Sequence, residues 1–278
     1  MPTVAEKRRT FCALHESGCF VLPNPWDIGS ARYLQSLGFK ALATTSAGAA
    51  WSLGYPDGGM PLDAMLDHFR AIVGATDLPV NADFLAGYAS APEGVAKSVA
   101  QCIATGVAGL SIEDATGDKR EPLFDFVLAV ERIVAARRAV DAAGGGTILV
   151  ARAECFLTGH PQPLKEAIKR LTAFAEAGAD CLYAPGPRTR AEIKAIVDAV
   201  APKPVNILAR NLDRLTVADL AELGVRRVSV GGLMARMAWT GLMRSARELA
   251  ANGTFDGFDG AVSGGDINAL FETPRGPS

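Results

Sequence analysis

One phrase, met four times along this 278-residue chain, narrows the fold more than any other feature. Each time an apolar-periodic stretch ends at a glycine, and a short apolar run follows. The copies are Ser36-Leu37-Gly38-Phe39-Lys40-Ala41-Leu42, Ala104-Thr105-Gly106-Val107-Ala108-Gly109-Leu110, Glu176-Ala177-Gly178-Ala179-Asp180-Cys181-Leu182 and Glu222-Leu223-Gly224-Val225-Arg226-Arg227-Val228. Glycine there suits the left-handed residue that closes a helix before a tight turn into a strand. Repeating helix, glycine and strand in this way marks an α/β chain.

Filling the intervals predicts strands over 19–22, 40–45, 78–82, 109–112, 147–151, 180–184, 204–208 and 227–230. Helices are predicted over 4–17, 61–76, 92–105, 123–143, 163–177, 188–200, 217–223 and 233–251, and Asp27 is a natural N-cap for one more, ended by Gly38. Eight strands alternating with helices predict a (β/α)8 TIM-type barrel with an extra N-terminal helix. No G-x-G-x-x-G follows the first strand, which argues against a dinucleotide-binding open sheet. One barrel domain is expected over 1–255. A tail over 256–278 carries an apolar patch at 267–271, expected to form a short helix on its own barrel or on a neighbouring subunit.

Composition removes several classes of partner. The net charge of −2 gives no basic surface for nucleic acid or an anionic membrane. No apolar run approaches the roughly 20 residues needed to span a bilayer. The charged stretch 1–9 is not followed by an apolar signal region, so a cytoplasmic protein is expected. The five cysteines are odd in number and lack metal-site spacing, which predicts reduced thiols. His15, His68 and His160 fall outside the charged strand ends, and structural roles are expected for them.

Three consecutive predicted strands end in charge: first at Asp83, next at Glu113 with Asp114, then at Arg152 with Glu154. Charge at the end of a buried strand is costly unless paired, solvated or holding a metal. In a barrel these ends form one mouth, which would also receive Asn24, Asp27, the small-residue run 44–48, Asp57, Asn206 and Gly231-Gly232. Converging carboxylates with no clustered His or Cys suit Mg²⁺ or Mn²⁺. Arg152 would clamp a substrate carboxylate, and small residues at 45–48 would let backbone N–H groups approach an oxyanion. These parts suit an α-keto acid. The bland alternatives are turn capping for Asp83 and Asp57, helix capping for Glu113, and plain neutralisation of Glu113 or Glu154 by Arg152.

Several stretches, in this order, carry a family resemblance: Asn24-Pro25-Trp26-Asp27, Thr44-Thr45-Ser46-Ala47-Gly48, Leu53-Gly54-Tyr55-Pro56-Asp57, Pro79-Val80-Asn81-Ala82-Asp83, Ile112-Glu113-Asp114 and Ala151-Arg152. The chain resembles the isocitrate lyase/phosphoenolpyruvate mutase superfamily over nearly its full length. The resemblance implies Mg²⁺-dependent chemistry on α-keto or α-hydroxy acids through enolate-like intermediates. It also implies a homo-oligomer, a dimer or tetramer whose last helix is exchanged between subunits. By similarity Asp57, Asp83 and Glu113 match the family's metal-region carboxylates and Arg152 its substrate-clamping arginine; Asp83 and Glu113 are the metal candidates, and Asp57, Glu113 and Arg152 the catalytic ones. Thr45, Ser46 and Ala47, with Asn206, are the substrate-binding candidates.

Two departures narrow the expectation. A second acidic residue, usual two positions after the one matching Asp83, is replaced by Leu85. The loop over 115–122 lacks the cysteine and histidine of the classical lyases, which disfavours a standard isocitrate or methylisocitrate lyase. The expected function is a carbon–carbon lyase or decarboxylase acting on a small α-keto or α-hydroxy dicarboxylic acid. The alternatives are a phosphonopyruvate-type P–C hydrolase or mutase, and a non-catalytic α-keto acid binder.

Overall fold

A computed structural model describes residues 2–210 and 212–272, so the end of the expected tail, 273–278, lies outside the described residues. All eight expected strands form: β1 (Phe20–Leu22), β2 (Leu42–Ala43), β3 (Val80–Asp83), β4 (Gly109–Glu113), β5 (Ile148–Arg152), β6 (Cys181–Tyr183), β7 (Val205–Leu208) and β8 (Arg227–Ser229). They pair in parallel in the order β1-β8-β7-β6-β5-β4-β3-β2. Beyond the ladders, the Ala43 N–H donates to Pro23 O at 3.0 Å and draws β1 to β2. The Asn24 side chain completes the seam. Its Nδ2 donates to Thr44 O at 2.9 Å, while its Oδ1 accepts the N–H groups of Val230 and Gly231 at 2.9 and 2.8 Å. One amide thus ties the ends of β1, β2 and β8, and the (β/α)8 barrel is nearly closed.

The helices are α1 (Val4–Glu16), α2 (Ile28–Ser36), α3 (Ser46–Ser52), α4 (Leu62–Ala75), α5 (Pro92–Ile103), α6 (Phe126–Ala142), α7 (Pro163–Glu176), α8 (Arg190–Val200), α9 (Val217–Glu222), α10 (Leu233–Asn252) and α11 (Gly264–Glu272). The four glycines of the repeated phrase all take left-handed φ values, from +82° at Gly38 to +100° at Gly178. No other residue turns a helix end into a strand as cheaply. The structure departs from expectation at α3. The run after Thr45 is a helix, not an open turn, because Thr45 Oγ1 accepts the Gly48 N–H at 3.2 Å and caps it.

Strand alternation divides most of the apolar residues between an outer and an inner layer, and Leu42 and Val80 form a smaller third cluster with Ala31, Leu34 and Ile72. Outward-facing Ala82, Leu110, Ile112, Leu149, Leu182, Ile207 and Val228 pack under the helices with Phe69, Ile133, Leu171 and Ile193. Inward-facing Ala43, Ile148, Val150 and Cys181 meet Phe11 of α1 and Phe20. Helix α1 therefore plugs the N-terminal end of the barrel. A Cβ added at Gly109 would lie 2.7 Å from the Phe11 ring, so this strand residue must be glycine for the plug to seat. Lys7 fastens the plug to Thr76 O at 2.5 Å and Val73 O at 3.0 Å, and Arg8 fastens it to Ile103 O at 3.0 Å.

The last two helices behave differently from the rest. Ala235 is the one buried residue of α10, whose Met237, Leu242 and Met243 are exposed. Helix α11 leans on α2 of its own chain, where Arg32 donates to Phe271 O at 3.0 Å and lies over the Phe271 ring. No helix among the described residues is long and apolar enough to cross a membrane.

Candidate active site

At the C-terminal ends of the strands the barrel opens into a cavity of about 500 Å³. Thr45, Ser46, Ala47, Asp57, Asp83, Glu113, Arg152 and Asn206 all line it, so the catalytic, substrate-binding and metal candidates read from sequence reach one space. Period-two alternation explains the convergence. Asp83, Glu113 and Arg152 close their strands with inward parity, one step past the outward Ala82, Ile112 and Ala151.

Arg152 sits among the carboxylates and not across the cavity from them. Its Nη1 is 3.2 Å from Glu113 Oε2 and 3.4 Å from Asp83 Oδ1, and its Nε bonds Glu154 Oε1. The Tyr183 ring packs 5.2 Å from the guanidinium. Burial works against the Arg152 charge, but Glu154, Glu113, Tyr183 and Asp83 outweigh it and raise its pKa. Asp83 is held from its other side: Oδ2 accepts both the N–H of Ser46 at 2.9 Å and its hydroxyl at 2.8 Å. The Asp83 N–H in turn donates to Thr44 Oγ1 at 2.9 Å. Both Ser46 donors are thereby committed to a carboxylate, while the neighbouring Ala47 lines the cavity.

Glu113 is strongly perturbed by its surroundings. Desolvation first, then Glu154, Asp83 and Asp114, push its carboxyl up to about 8, against the pull of Arg152. Glu154 is raised for the same primary reason. Asp57 reaches the cavity from the exposed loop after α3, and lost hydration followed by the Asp83 charge raises its pKa.

Asp114 does not join them, a correction to the expectation that it shares the mouth with Glu113. As the next residue it faces the other way, where it is buried, accepting the Glu154 N–H at 2.8 Å and Arg170 Nη1 at 3.1 Å. Its work is to position Glu154. Asp27 likewise caps α2, accepting the Ser30 N–H at 2.7 Å. The loop over 115–122 folds on itself through Thr116 and supplies no residue to the cavity lining.

Other lining residues were not singled out from sequence: Tyr183, Arg210, Arg227 and Arg236 among them. A parity count would have flagged Arg227, because it shares its inward face with Ser229 while Val228 points out. His15 reaches the same network from the barrel floor. Its Nδ1 pairs with Phe11 O at 2.7 Å and its Nε2 with Arg227 Nη1 at 3.3 Å. Burial, then the Arg227 charge, pull its pKa down to about 3, so the ring is neutral and structural.

Whether a divalent cation suits these residues is decided by the donors. Among the described residues no group of three or more His, Cys, Asp or Glu side chains forms an ion cage. Asp83 and Glu113 nevertheless share a cavity with Asp57, and the single Arg152 does not neutralise all the carboxylates around it. Excess negative charge borne by one or two carboxylates in a roomy, polar cavity fits Mg²⁺, which keeps several waters and takes few protein ligands. Leu85, in a left-handed conformation at φ +51°, lines the cavity where a further carboxylate would have added a donor.

A (β/α)8 barrel with its charged cavity at the C-terminal strand ends is the architecture shared by barrel enzymes. Comparison with known proteins makes the class specific. A family model described as phosphoenolpyruvate phosphomutase matches residues 11–250. An oxaloacetate decarboxylase of Paraburkholderia xenovorans is 31% identical over 231 residues, covering 80% of this chain and 74% of that protein. The crystal structure of a Burkholderia cenocepacia protein, provisionally assigned as a lyase/mutase, superposes with a TM-score of 0.92 at 45% identity, covering 98% of this chain and 97% of the other. A phosphonopyruvate hydrolase solved with oxalate and Mg²⁺ superposes with a TM-score of 0.83 at 25% identity, over 95% and 94% of the two chains. The chain belongs to the phosphoenolpyruvate mutase family, within the isocitrate lyase/phosphoenolpyruvate mutase superfamily. Members of that superfamily are enzymes, mainly carbon–carbon lyases and mutases.

Proposed function

We propose that this protein is a Mg²⁺-dependent (or Mn²⁺-dependent) lyase that cleaves a C–C bond in, or decarboxylates, a small α-keto or α-hydroxy dicarboxylic acid. The observation that carries the reading is the grouping of Asp83, Glu113 and Glu154 around Arg152 in a cavity also lined by Thr45, Ser46 and Ala47. Asp83 and Glu113 would hold the cation, which when bound polarises the keto and carboxylate oxygens of the substrate. Arg152, fixed by three carboxylates, orients a substrate carboxylate without losing side-chain entropy on binding. Of the Thr45–Ala47 run, whose Ser46 N–H is taken by Asp83, the Ala47 backbone N–H at the start of α3 would face charge developing on the keto oxygen as the bond breaks. Asp57, whose pKa is raised by lost hydration and then by Asp83, would exchange a proton at the rim. Decarboxylation starts without a loop acid, so the composition of 115–122 favours it over aldol-type cleavage.

Incubation with Mg²⁺ and a panel containing oxaloacetate and methylisocitrate should release pyruvate or another fragment, and EDTA should abolish the release. No product from any panel member would overturn the lyase reading. Phosphate from phosphonopyruvate would instead support the P–C hydrolase reading, which the resemblance to a phosphonopyruvate hydrolase motivates. Leu85 and the loop motivate a non-catalytic binder; oxalate binding that persists in EDTA without turnover would favour it.

The protein is further proposed to act as a homo-oligomer, a dimer or tetramer, that exchanges its last helix. The exposed apolar side chains Met237, Leu242, Met243 and Phe255 on and after α10 support this reading. Light scattering should give a mass of two or four chains, and M237E/L242E should reduce it to one. A monomeric wild-type protein would overturn the assembly and leave the chemistry standing.

A further inference from the structure

The cavity is electrically two-sided. Its carboxylates come from Asp57, β3, β4 and the end of β5, with Arg152 committed to them. Its other arginines come from the opposite wall: Arg210 after β7, Arg227 in β8 and Arg236 in α10. None of these three has an ion-pair partner among the described residues.

Arg227 is the informative one, because it is 2% exposed. Strand register explains how it still meets the cavity. Glu113 pairs with Arg152, Arg152 with Tyr183, Tyr183 with Asn206, Asn206 with Arg227, and Arg227 with Phe20. This row starts at the last residue of β4 and ends at the first residue of β1, so it descends from mouth to floor as tilted barrel strands require. Among the described residues Arg227 is met only by neutral acceptors: Asn206 Oδ1 at 2.9 Å from Nε, with His15 Nε2 at 3.3 Å and Asn81 Oδ1 at 3.4 Å from Nη1. No acceptor among the described residues takes Nη2. A buried guanidinium that meets no carboxylate is costly, and an anion arriving through the cavity would offset that cost.

We propose that Arg227 forms the base of a second anion subsite, on the β7–β8 wall, which takes the distal carboxylate or other small oxyanion of a dianionic substrate. The subsite rests on the proposed lyase reading and adds an orientation to it. The keto end lies toward β3–β5, and the distal charge lies toward β7–β8. Asn206 serves here by aiming the guanidinium, since its Oδ1 accepts Nε while its Nδ2 is spent on Ser229 Oγ at 3.0 Å.

The test is calorimetric binding, in Mg²⁺, of 2-oxoglutarate, phosphonopyruvate and the monoanion 2-oxopentanoate, which has a methyl in place of the distal carboxylate. Wild-type protein should bind a dianion at least tenfold tighter than the monoanion, and the tighter dianion identifies the distal group. R227Q should lose that preference while still binding 2-oxopentanoate, and R227K should keep part of it. A structural role alone would lower the melting temperature of R227Q through its lost contact with His15 and leave the preference intact, which would overturn the subsite. Should R227Q fail to fold, wild type and R227K still decide: equal affinity for dianion and monoanion in wild type, or an unchanged preference in R227K, overturns it. Binding of monoanion and dianion alike sinks only the subsite, whereas binding of none of the three sinks the lyase reading with it.

Discussion

Replacing Arg152 with methionine is expected to weaken oxalate binding at least tenfold, about 1.4 kcal/mol, and to lower kcat/KM on the turned-over acid by on the order of 10²- to 10³-fold. It should also lower stability by about 3–5 kcal/mol, because breaking a buried ion pair leaves charge uncompensated. Here it leaves three carboxylates, those of Asp83, Glu113 and Glu154. The loss should depend on pH in a definite direction. Burial already raises Glu113 and Glu154, and Arg152 is what opposes that rise, so without the guanidinium these two carboxyls hold protons more tightly when folded than when unfolded and the variant loses stability as pH rises. Thermal melts at pH 5.5 and pH 8 test this. A deficit that is equal at both values would show that Arg152 contributes packing and not charge. Undiminished oxalate affinity would remove it from substrate binding.

E113Q should do the opposite to stability. The folded-state pKa of Glu113 is raised from 4.5 to about 8, chiefly by desolvation. Between those values the native state binds more protons than the unfolded chain, so the Glu113 contribution grows less favourable as pH rises through that window. Glutamine keeps the shape and removes the charge. E113Q should therefore melt higher than wild type at pH 8, by on the order of 2 kcal/mol of stability, with the gain vanishing toward pH 5. Arg152 keeps Asp83 and Glu154 in the variant, so the cluster should hold. Mg²⁺ should stabilise wild type more than E113Q at pH 8, since the variant has one donor fewer. A variant that is less stable than wild type at pH 8 would show that the pairing of Glu113 with Arg152 outweighs its desolvation.

The charged strand ends were legible because they break apolar runs, and a barrel brings all such ends to one rim. Adjacent charges were less legible. Glu113 and Asp114 look alike in the sequence, yet one lines the cavity and the other holds Arg170 and the Glu154 amide, because successive strand residues face opposite sides. Ser46 looks like a ligand donor until its hydroxyl and amide are both found on Asp83. Thr45 reads as part of a turn until its hydroxyl is found capping α3.

The chain by itself determined the alternation of helix and strand, since the glycines after helices and the spacing of apolar residues act over a few neighbours. It also determined which strands carry charge to the mouth. Tertiary structure alone decided who pairs with whom. The closure of β1 and β2 through Asn24, the Asp83 and Glu113 carboxylates on Arg152, and the isolation of Arg227 among neutral acceptors all join residues far apart in the chain. Strand tilt and register bring them together, and no local pattern encodes that.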